Sequence, residues 1–381
     1  MKTKSFEALG LNTSLLNNIQ KVGLAKPYPI QQKAIPAILK RNDIMGIAKT
    51  GSGKTASYVL PLLQLLEGRS NGQNRCVDLL VVVPTRELAV QVSDVFKQFS
   101  IGLSKRIKTL AVYGGVSVNP QMKALQNVNV LIATPGRLLE LIDANAVSIE
   151  KIGTLVLDEA DKLLNTAFKE EMERIFKMLP TRRQTLLFSA TLNDSIDKVM
   201  AQLLNNPQIL KVEDEGDTNL ELIKQSAYFI SNEKKGRLLR HLIKEKNMEQ
   251  VLVFASSIKQ VDSIIRKLDK HDIFADPIHS KISQGGRQEA LRDFKSGRTK
   301  VLVATDLLAR GIDIEFLPYV INYELPRSPK DFIHRIGRTG RAEKHGEAIT
   351  FVSPDEEHHF KVIQKKMKKW VDRVNIEDLD L

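Results

Sequence analysis

One cysteine, Cys76, in 381 residues excludes an intramolecular disulfide, and with no Cys/His cluster beside it a zinc-type site is excluded too. Thiol usage this sparse suits a reducing compartment, and the cytoplasm is the expectation. No window of 18 apolar residues exists to span a bilayer, and the start MKTKSFEALG lacks the apolar stretch of a secretory signal. Acids are also short: 45 Asp and Glu face 57 Lys and Arg, a formal net charge of +12. That excess favours a polyanionic partner, and with no membrane segment nucleic acid is the better polyanion.

What the chain does have is alternation. Short apolar runs at 43–48, 78–84, 109–113, 128–133, 154–158 and 185–189 read as strands, as do 226–230, 250–255, 273–277, 300–305, 319–323 and 348–352. Between them lie amphipathic stretches such as 259–270, with Ile and Val at helical spacing. Strand–helix–strand repeated this often predicts parallel α/β sheets, twice over. A length of 381 residues also exceeds one typical core. The polar, acidic stretch 205–220 (NNPQILKVEDEGDTNL) reads as a linker. The expected division is a first domain over 1–207, a linker over 208–222 and a second domain over 223–381.

Only the first half carries a phosphate loop. AKTGSGKT (48–55) misses the strict G-x-x-x-x-G-K-[ST] pattern by one methyl group, since Ala48 stands at the first glycine. Its context is right, because it follows a strand and opens a helix predicted over 54–66. Gly51 and Gly53 free backbone N–H groups to face a phosphate at the positive end of that helix. Lys54 would neutralise the β- and γ-phosphates of ATP, and the Thr55 hydroxyl would bind Mg²⁺. Residues 158–161 read Asp-Glu-Ala-Asp at the end of the apolar run 154–157, the carboxyl edge where open α/β sheets bind ligands. Asp158 could simply N-cap a helix over 159–164. Beside a phosphate loop it gains a role as the Mg²⁺ carboxylate, with Glu159 as general base toward water and Asp161 orienting its neighbours. Ser189 and Thr191, ending the next apolar run, offer hydroxyls to Asp161.

Far downstream lies HRIGRTGR (334–341). His334, Arg335, Arg338 and Arg341 follow an i, i+3, i+4 pattern, so Arg338 and Arg341 are expected to project together from a helix. Gly337 and Gly340 weaken the case for a plain solvated helix face. A basic cluster with no phosphate loop of its own suits arginine fingers supplied by a second domain, worth roughly 10³ to 10⁵ in rate.

Together these blocks resemble the DEAD-box ATP-dependent RNA helicases of superfamily 2, over residues 6 to about 353 and in family order; the compact start and short C-terminus are most like the bacterial RhlE-type branch. The resemblance implies two tandem RecA-like domains, each a mainly parallel sheet with helices on both faces, joined by a short linker. It implies an RNA-dependent ATPase that separates short RNA duplexes locally, with ATP and Mg²⁺ as cofactors. Phe6 and GLAKPYPIQ (23–31) look like the family's adenine-recognising segment, with Gln31 reading the base. Thr50, Gly51, Ser52, Gly53, Lys54 and Thr55 would hold the phosphates, Asp313 the ribose, and Arg338 and Arg341 the γ-phosphate. PTRELA (84–89), Gly114-Gly115, TPGR (134–137), QGGR (284–287) and ATDLLARGID (304–313) look like its RNA and coupling segments. By the same resemblance Arg86, Gly115, Thr134, Arg137, Arg287 and Thr305 would touch RNA, and Asp161, Ser189, Thr191 and His334 would couple the two sites. Leu24, Tyr28 and Glu324 depart from the pattern, where the family more often has an aromatic residue, Thr and Asp.

Aromatics make up only 6% of the chain, and the RNA segments are Thr, Gly, Arg and Pro rather than stacking platforms. Contacts would go to phosphates and 2′-hydroxyls, which position a strand without reading its sequence. The expected partner is RNA, and the expected state a monomer. An ATP-gated RNA clamp serving as an assembly platform needs the same residues, and a DNA helicase of the same superfamily is the nearest enzyme rival.

Overall fold

Four-residue runs with no polar face must be covered on both sides, and in a computed structural model of the chain they are. The structure describes residues 5–48, 51–68, 76–164, 168–191, 194–212, 223–306, 317–339 and 346–374. The chain divides into two units, Met1–Glu213 and Asp214–Leu381.

Strands of the first unit are β1 (Ile44–Ile47), β2 (Leu79–Val82), β3 (Thr109–Val112), β4 (Val130–Ala133), β5 (Thr154–Leu157), β6 (Gln184–Ser189) and β7 (Gln208–Lys211). They form one sheet in the order β3-β4-β2-β5-β6-β1-β7, every pair parallel. Successive residues feed opposite faces: Val81, Ile132 and Val156 join one apolar cluster, while Leu80, Leu131 and Leu155 join another. This is the double coverage that parallel sheets require.

The second unit repeats the plan with β8 (Ile223–Phe229), β9 (Val251–Ala255), β10 (Ala275–Ile278), β11 (Val301–Thr305), β12 (Tyr319–Asn322), β13 (Gly346–Val352) and β14 (Asp372–Val374). Its order is β10-β11-β9-β12-β13-β8-β14, again all parallel. Val253 and Val303 lie in one cluster and Leu252 and Leu302 in another. Among the described residues, twelve of the fourteen strands overlap the apolar runs, with ends that coincide or differ by up to three residues; β8, for example, begins at Ile223 rather than 226.

Two strands were invisible to hydropathy. Residues Gln208–Lys211, read as the start of the linker, form β7 against β1, so the expected linker 208–222 begins too early and its remainder from 213 lies outside the described residues. Asp43 explains the docking: its carboxylate accepts the Thr185 amide and the Asn205 amide, both at 2.7 Å, and thereby seats the chain entering β7 beside β6 and β1. β14 is likewise an edge strand, short and charged, pairing with β8 in the second sheet. Polar, exposed edge strands are how sheets discourage further pairing, which is also why they carry no apolar signal.

Candidate active site

The strand order sorts the motifs. β5, β6 and β1 are neighbours, so the acids after β5, Ser189-Ala190-Thr191 at the end of β6 and the phosphate loop after β1 share one stretch of the carboxyl edge. β3, β4 and β2 are the other stretch, and they deliver Gly114-Gly115, Thr134–Arg137 and Arg86.

Gly51 and Gly53 both adopt positive φ, 76° and 83°. A side chain at Gly53 would bring a Cβ to 2.5 Å from Gln31 Nε2, so that glycine serves both the turn and a close approach. It caps the helix Lys54–Glu67 with no side-chain bond to the first amides, leaving the helix N-terminus to an anion. Lys54 Nζ donates to the Ala48 carbonyl at 2.7 Å. Burial lowers the affinity of that ammonium for its proton, against the pull of Asp158, Glu159 and Asp161.

Asp158 does not cap a helix. The helix here is Ala160–Leu163, and its N-cap is Glu159, held at φ 53°. That left-handed turn, costly for a non-glycine residue, splits the two acids. Asp158 is 2% exposed and turns inward, its Oδ1 accepting the Glu159 amide at 2.9 Å. Its Oδ2 accepts from the Tyr58 hydroxyl at 2.9 Å. Tyr58 is fully buried on the helix Lys54–Glu67 and also bonds the Thr55 side chain. One phenol thus holds the loop's threonine and the first acid of the quartet together. Sequence reasoning missed it because an aromatic at that position looks like core. Burial, then the Asp158 charge, pushes its hydroxyl pKa well above the usual value, so it stays a donor.

Glu159 points the other way, paired with Lys162 at 2.7 Å. Burial is the largest influence and raises its pKa despite that lysine, the direction a general base needs. Thr191 Oγ1 reaches Asp161 at 3.4 Å. Ser189 instead donates to the Thr191 carbonyl at 2.7 Å and bonds no acid, so one of the two expected hydroxyls makes the contact. Asp158 and Thr55 present only oxygen, the donor set Mg²⁺ takes alongside phosphates and water; among the described residues no cluster of three or more His, Cys, Asp or Glu forms a metal cage.

Gln31 is buried, its Oε1 accepting the Tyr28 amide at 2.9 Å and its Nε2 donating to the Gly53 carbonyl at 3.1 Å. An amide has two donors and two lone pairs, so one of each remains for a base edge. Tyr28, unlike a threonine, has no hydroxyl within reach of the first amides, and the helix Pro29–Leu39 starts without a side-chain cap from it. Its half-exposed ring lies beside Gly53 instead. Phe6 is 5% exposed within the first unit's core and offers a base little surface. Thr50, Asp313 and Arg341 lie outside the described residues.

In the second stretch, Arg86 lies across Gly115, which has φ 78° and whose absent Cβ would fall 2.0 Å from the guanidinium. Arg137 is buried, donating to Glu140 Oε2 at 2.8 Å and to the Val116 carbonyl at 2.7 Å. It therefore shapes the glycine loop rather than standing free toward solvent. Thr134 stands at the N-cap position of the helix Pro135–Asp143, its hydroxyl making no bond to the first amides.

In the second unit Arg287 is buried on the helix Gln284–Lys295, and Thr305 ends β11 next to β10. Among the described residues the expected helix through HRIGRTGR does not continue beyond Ile336. The helix Pro329–Ile336 stops at Gly337, and Thr339 bridges to Leu317. His334 is on the helix, whereas Arg338 is in the turn beyond it and buried. Gly337, one of the two glycines that made a solvated helix improbable, ends this one. Arg335, to which no role was given, is 2% exposed. It grips Asp306 with two bonds of 2.5 and 2.7 Å and reaches the Glu324 carbonyl at 2.6 Å. Glu324, in place of aspartate, accepts the Ser256 amide at 2.7 Å, tying the end of β12 to the end of β9.

Residues 28–199 match the family described as DEAD/DEAH box helicase, and residues 234–343 the helicase conserved C-terminal domain. A relative in Geobacillus kaustophilus, the DEAD-box ATP-dependent RNA helicase CshA, is 38% identical over 99% of this chain and 79% of its own. The protein of the same name in Bacillus subtilis is 37% identical over 99% and 75%. Saccharomyces cerevisiae Dbp5, solved bound to RNA and ADP with beryllium fluoride, superposes with a TM-score of 0.83 at 31% identity, covering 99% of this chain and 97% of that one. Both bacterial relatives are named CshA, and neither supports the RhlE-type branch.

Proposed function

Because this chain belongs to the DEAD/DEAH box helicase family, we propose that it works as an ATP-dependent RNA helicase, hydrolysing ATP when RNA is bound and parting short duplexes locally. The observation that carries the reading is the division of one sheet edge: phosphate loop and acids on β5-β6-β1, arginines and glycine loop on β3-β4-β2.

Lys54 and the open amides of the helix Lys54–Glu67 would take the phosphates. Thr55 and Asp158, brought together by Tyr58, would hold Mg²⁺, which when bound stabilises charge on the phosphate oxygens. Glu159, released from Lys162, would accept a proton from the attacking water. Arg338 and Arg341 of the second unit would complete the site, so that nucleotide draws the units together and aligns their RNA-binding segments. ATP and RNA affinities are then positively coupled. RNA binding rests on phosphate contacts without sequence preference; six neutralised phosphates give a log–log salt slope of about −4. A monomer in the cytoplasm is the setting we infer.

Steady-state ATPase and multiple-turnover strand displacement on matched RNA and DNA duplexes test this. The expected result is hydrolysis stimulated by RNA and unwinding confined to RNA duplexes. Equal unwinding of DNA, or hydrolysis indifferent to RNA, overturns it; RNA binding and hydrolysis without multiple-turnover displacement would mark a clamp.

A further inference from the structure

The chain's single tryptophan belongs to none of the motifs above. Trp370 is 70% exposed, between the helix Glu357–Met367 and β14. A lone exposed apolar side chain is ordinary; two features set this one apart. The first is charge. From Lys361 to Val374 six cations (Lys361, Lys365, Lys366, Lys368, Lys369 and Arg373) face one acid, Asp372.

The second is that the indole is held out by a defined turn. Lys368 ends the helix in the left-handed conformation, φ 54°. The Val371 amide donates to Gln364 Oε1 at 2.8 Å, and Gln364 is itself buried. Arg373 stacks over the Phe229 ring at 4.1 Å, and β14 pairs with β8. Met367 occupies the inner side of this turn, leaving the indole outside. A fixed aromatic face beside a rail of cations is the combination by which proteins take single-stranded nucleic acid: a base stacks while phosphates meet lysines.

We propose that Trp370 with Lys365, Lys366 and Lys368 forms an accessory site for single-stranded RNA, separate from the segments that contact RNA in the reading above. β14 is five strand spacings from β11, about 24 Å, on the opposite edge of the second sheet from Thr305. Trp370 also precedes its strand, toward the amino edge, whereas Thr305 closes β11 at the carboxyl edge. The inference rests on the RNA-helicase reading for the identity of its ligand. It differs from that reading in binding through a base face, without ATP.

The sole tryptophan makes the test direct. Emission excited at 295 nm reports only Trp370 in the unmodified full chain, titrated without nucleotide by oligoadenylate or oligouridylate RNA, while anisotropy of a labelled RNA follows total binding. Saturable quenching is expected, with its midpoint moved to higher RNA by Lys365→Glu/Lys366→Glu and its salt slope shallower by about 1.4 for two phosphate contacts. Trp370→Ala should weaken labelled-RNA binding without nucleotide about 5- to 150-fold, the range of one lost stack. RNA that binds by anisotropy yet leaves Trp370 emission unchanged overturns the accessory site and leaves the helicase reading intact, as does emission that responds only to a protein partner. Absence of any RNA binding at low salt overturns both.

Discussion

Replacing Tyr58 with Phe removes one oxygen atom and keeps the ring among Phe96 and Phe188, so no cavity opens. What is lost is the 2.9 Å bond into Asp158 Oδ2. A hydrogen bond to a charged partner is worth about 1.5–3 kcal/mol, and both groups are almost fully buried, so no water stands ready to replace it. For a unit of this size each kcal/mol moves the melting temperature by about 2–4 °C. The first unit of Tyr58→Phe should then melt about 3–12 °C lower, read by calorimetry without nucleotide. A functional consequence follows, since the same hydroxyl also bonds Thr55. The ratio of nucleotide affinities with Mg²⁺ and with EDTA, measured with a fluorescent ADP, should shrink several-fold as the two oxygen donors lose their common anchor. A melting temperature within 1 °C of the parent, with that ratio unchanged, would refute the claim that this phenol positions the acid.

Three further outcomes are expected. Glu159→Gln should abolish turnover while stabilising the fold at neutral pH. Burial raises the folded-state pKa of Glu159 above 4.5, so the native state holds its proton more tightly than the unfolded chain, and stability falls as pH rises through that raised value; melting curves at pH 4 and 7.5 should show the variant's advantage only at the higher pH. Gly115→Ala places a Cβ 2.0 Å from the Arg86 guanidinium on a residue at φ 78°. RNA affinity should fall about 10-fold or more with ADP affinity retained, and an RNA dissociation constant within twofold of the parent would count against Arg86 as an RNA contact. Arg335→Ala strips the partner from Asp306, whose side chain is 27% exposed, so the loss is that of a hydrogen bond to a charged group, about 1.5–3 kcal/mol; denaturant unfolding should show it in the second unit, and a change of under about 1 kcal/mol would mean the pair is not structural.

The motifs were legible because each is local: a phosphate loop needs its glycines in consecutive positions, and a strand buried on both faces needs four apolar residues in a row. What could not be read was what long-range packing decides. Tyr58 and Asp158 are 100 residues apart, and nothing in the helix Lys54–Glu67 marks its tyrosine as different from the leucines around it. Arg335 stood inside a recognised block, but its neighbours suggested a ligand contact, whereas Asp306 and the Glu324 carbonyl claim it. The spacing of 334, 335, 338 and 341 fitted a helix; Gly337 ends it, and Thr339 is bridged to Leu317 instead. β7 and β14 have the polar composition of linkers because edge strands are wet on one side.

β2 carries an obligation that its sequence does not advertise. The Val82 carbonyl accepts the Asp158 amide at 3.1 Å, and the Val83 amide donates to the Ala133 carbonyl at 3.0 Å, so adjacent residues are bonded to the first acid of the quartet on one flank and to the approach to Thr134 on the other. The two chemistries are therefore stitched to the same pair of residues rather than wired across a gap. Any substitution that shifts the end of this strand must be pleiotropic, altering the grip on RNA and the firing of the ATPase together, and a selection for one trait alone will find its tolerated changes anywhere on this edge except there.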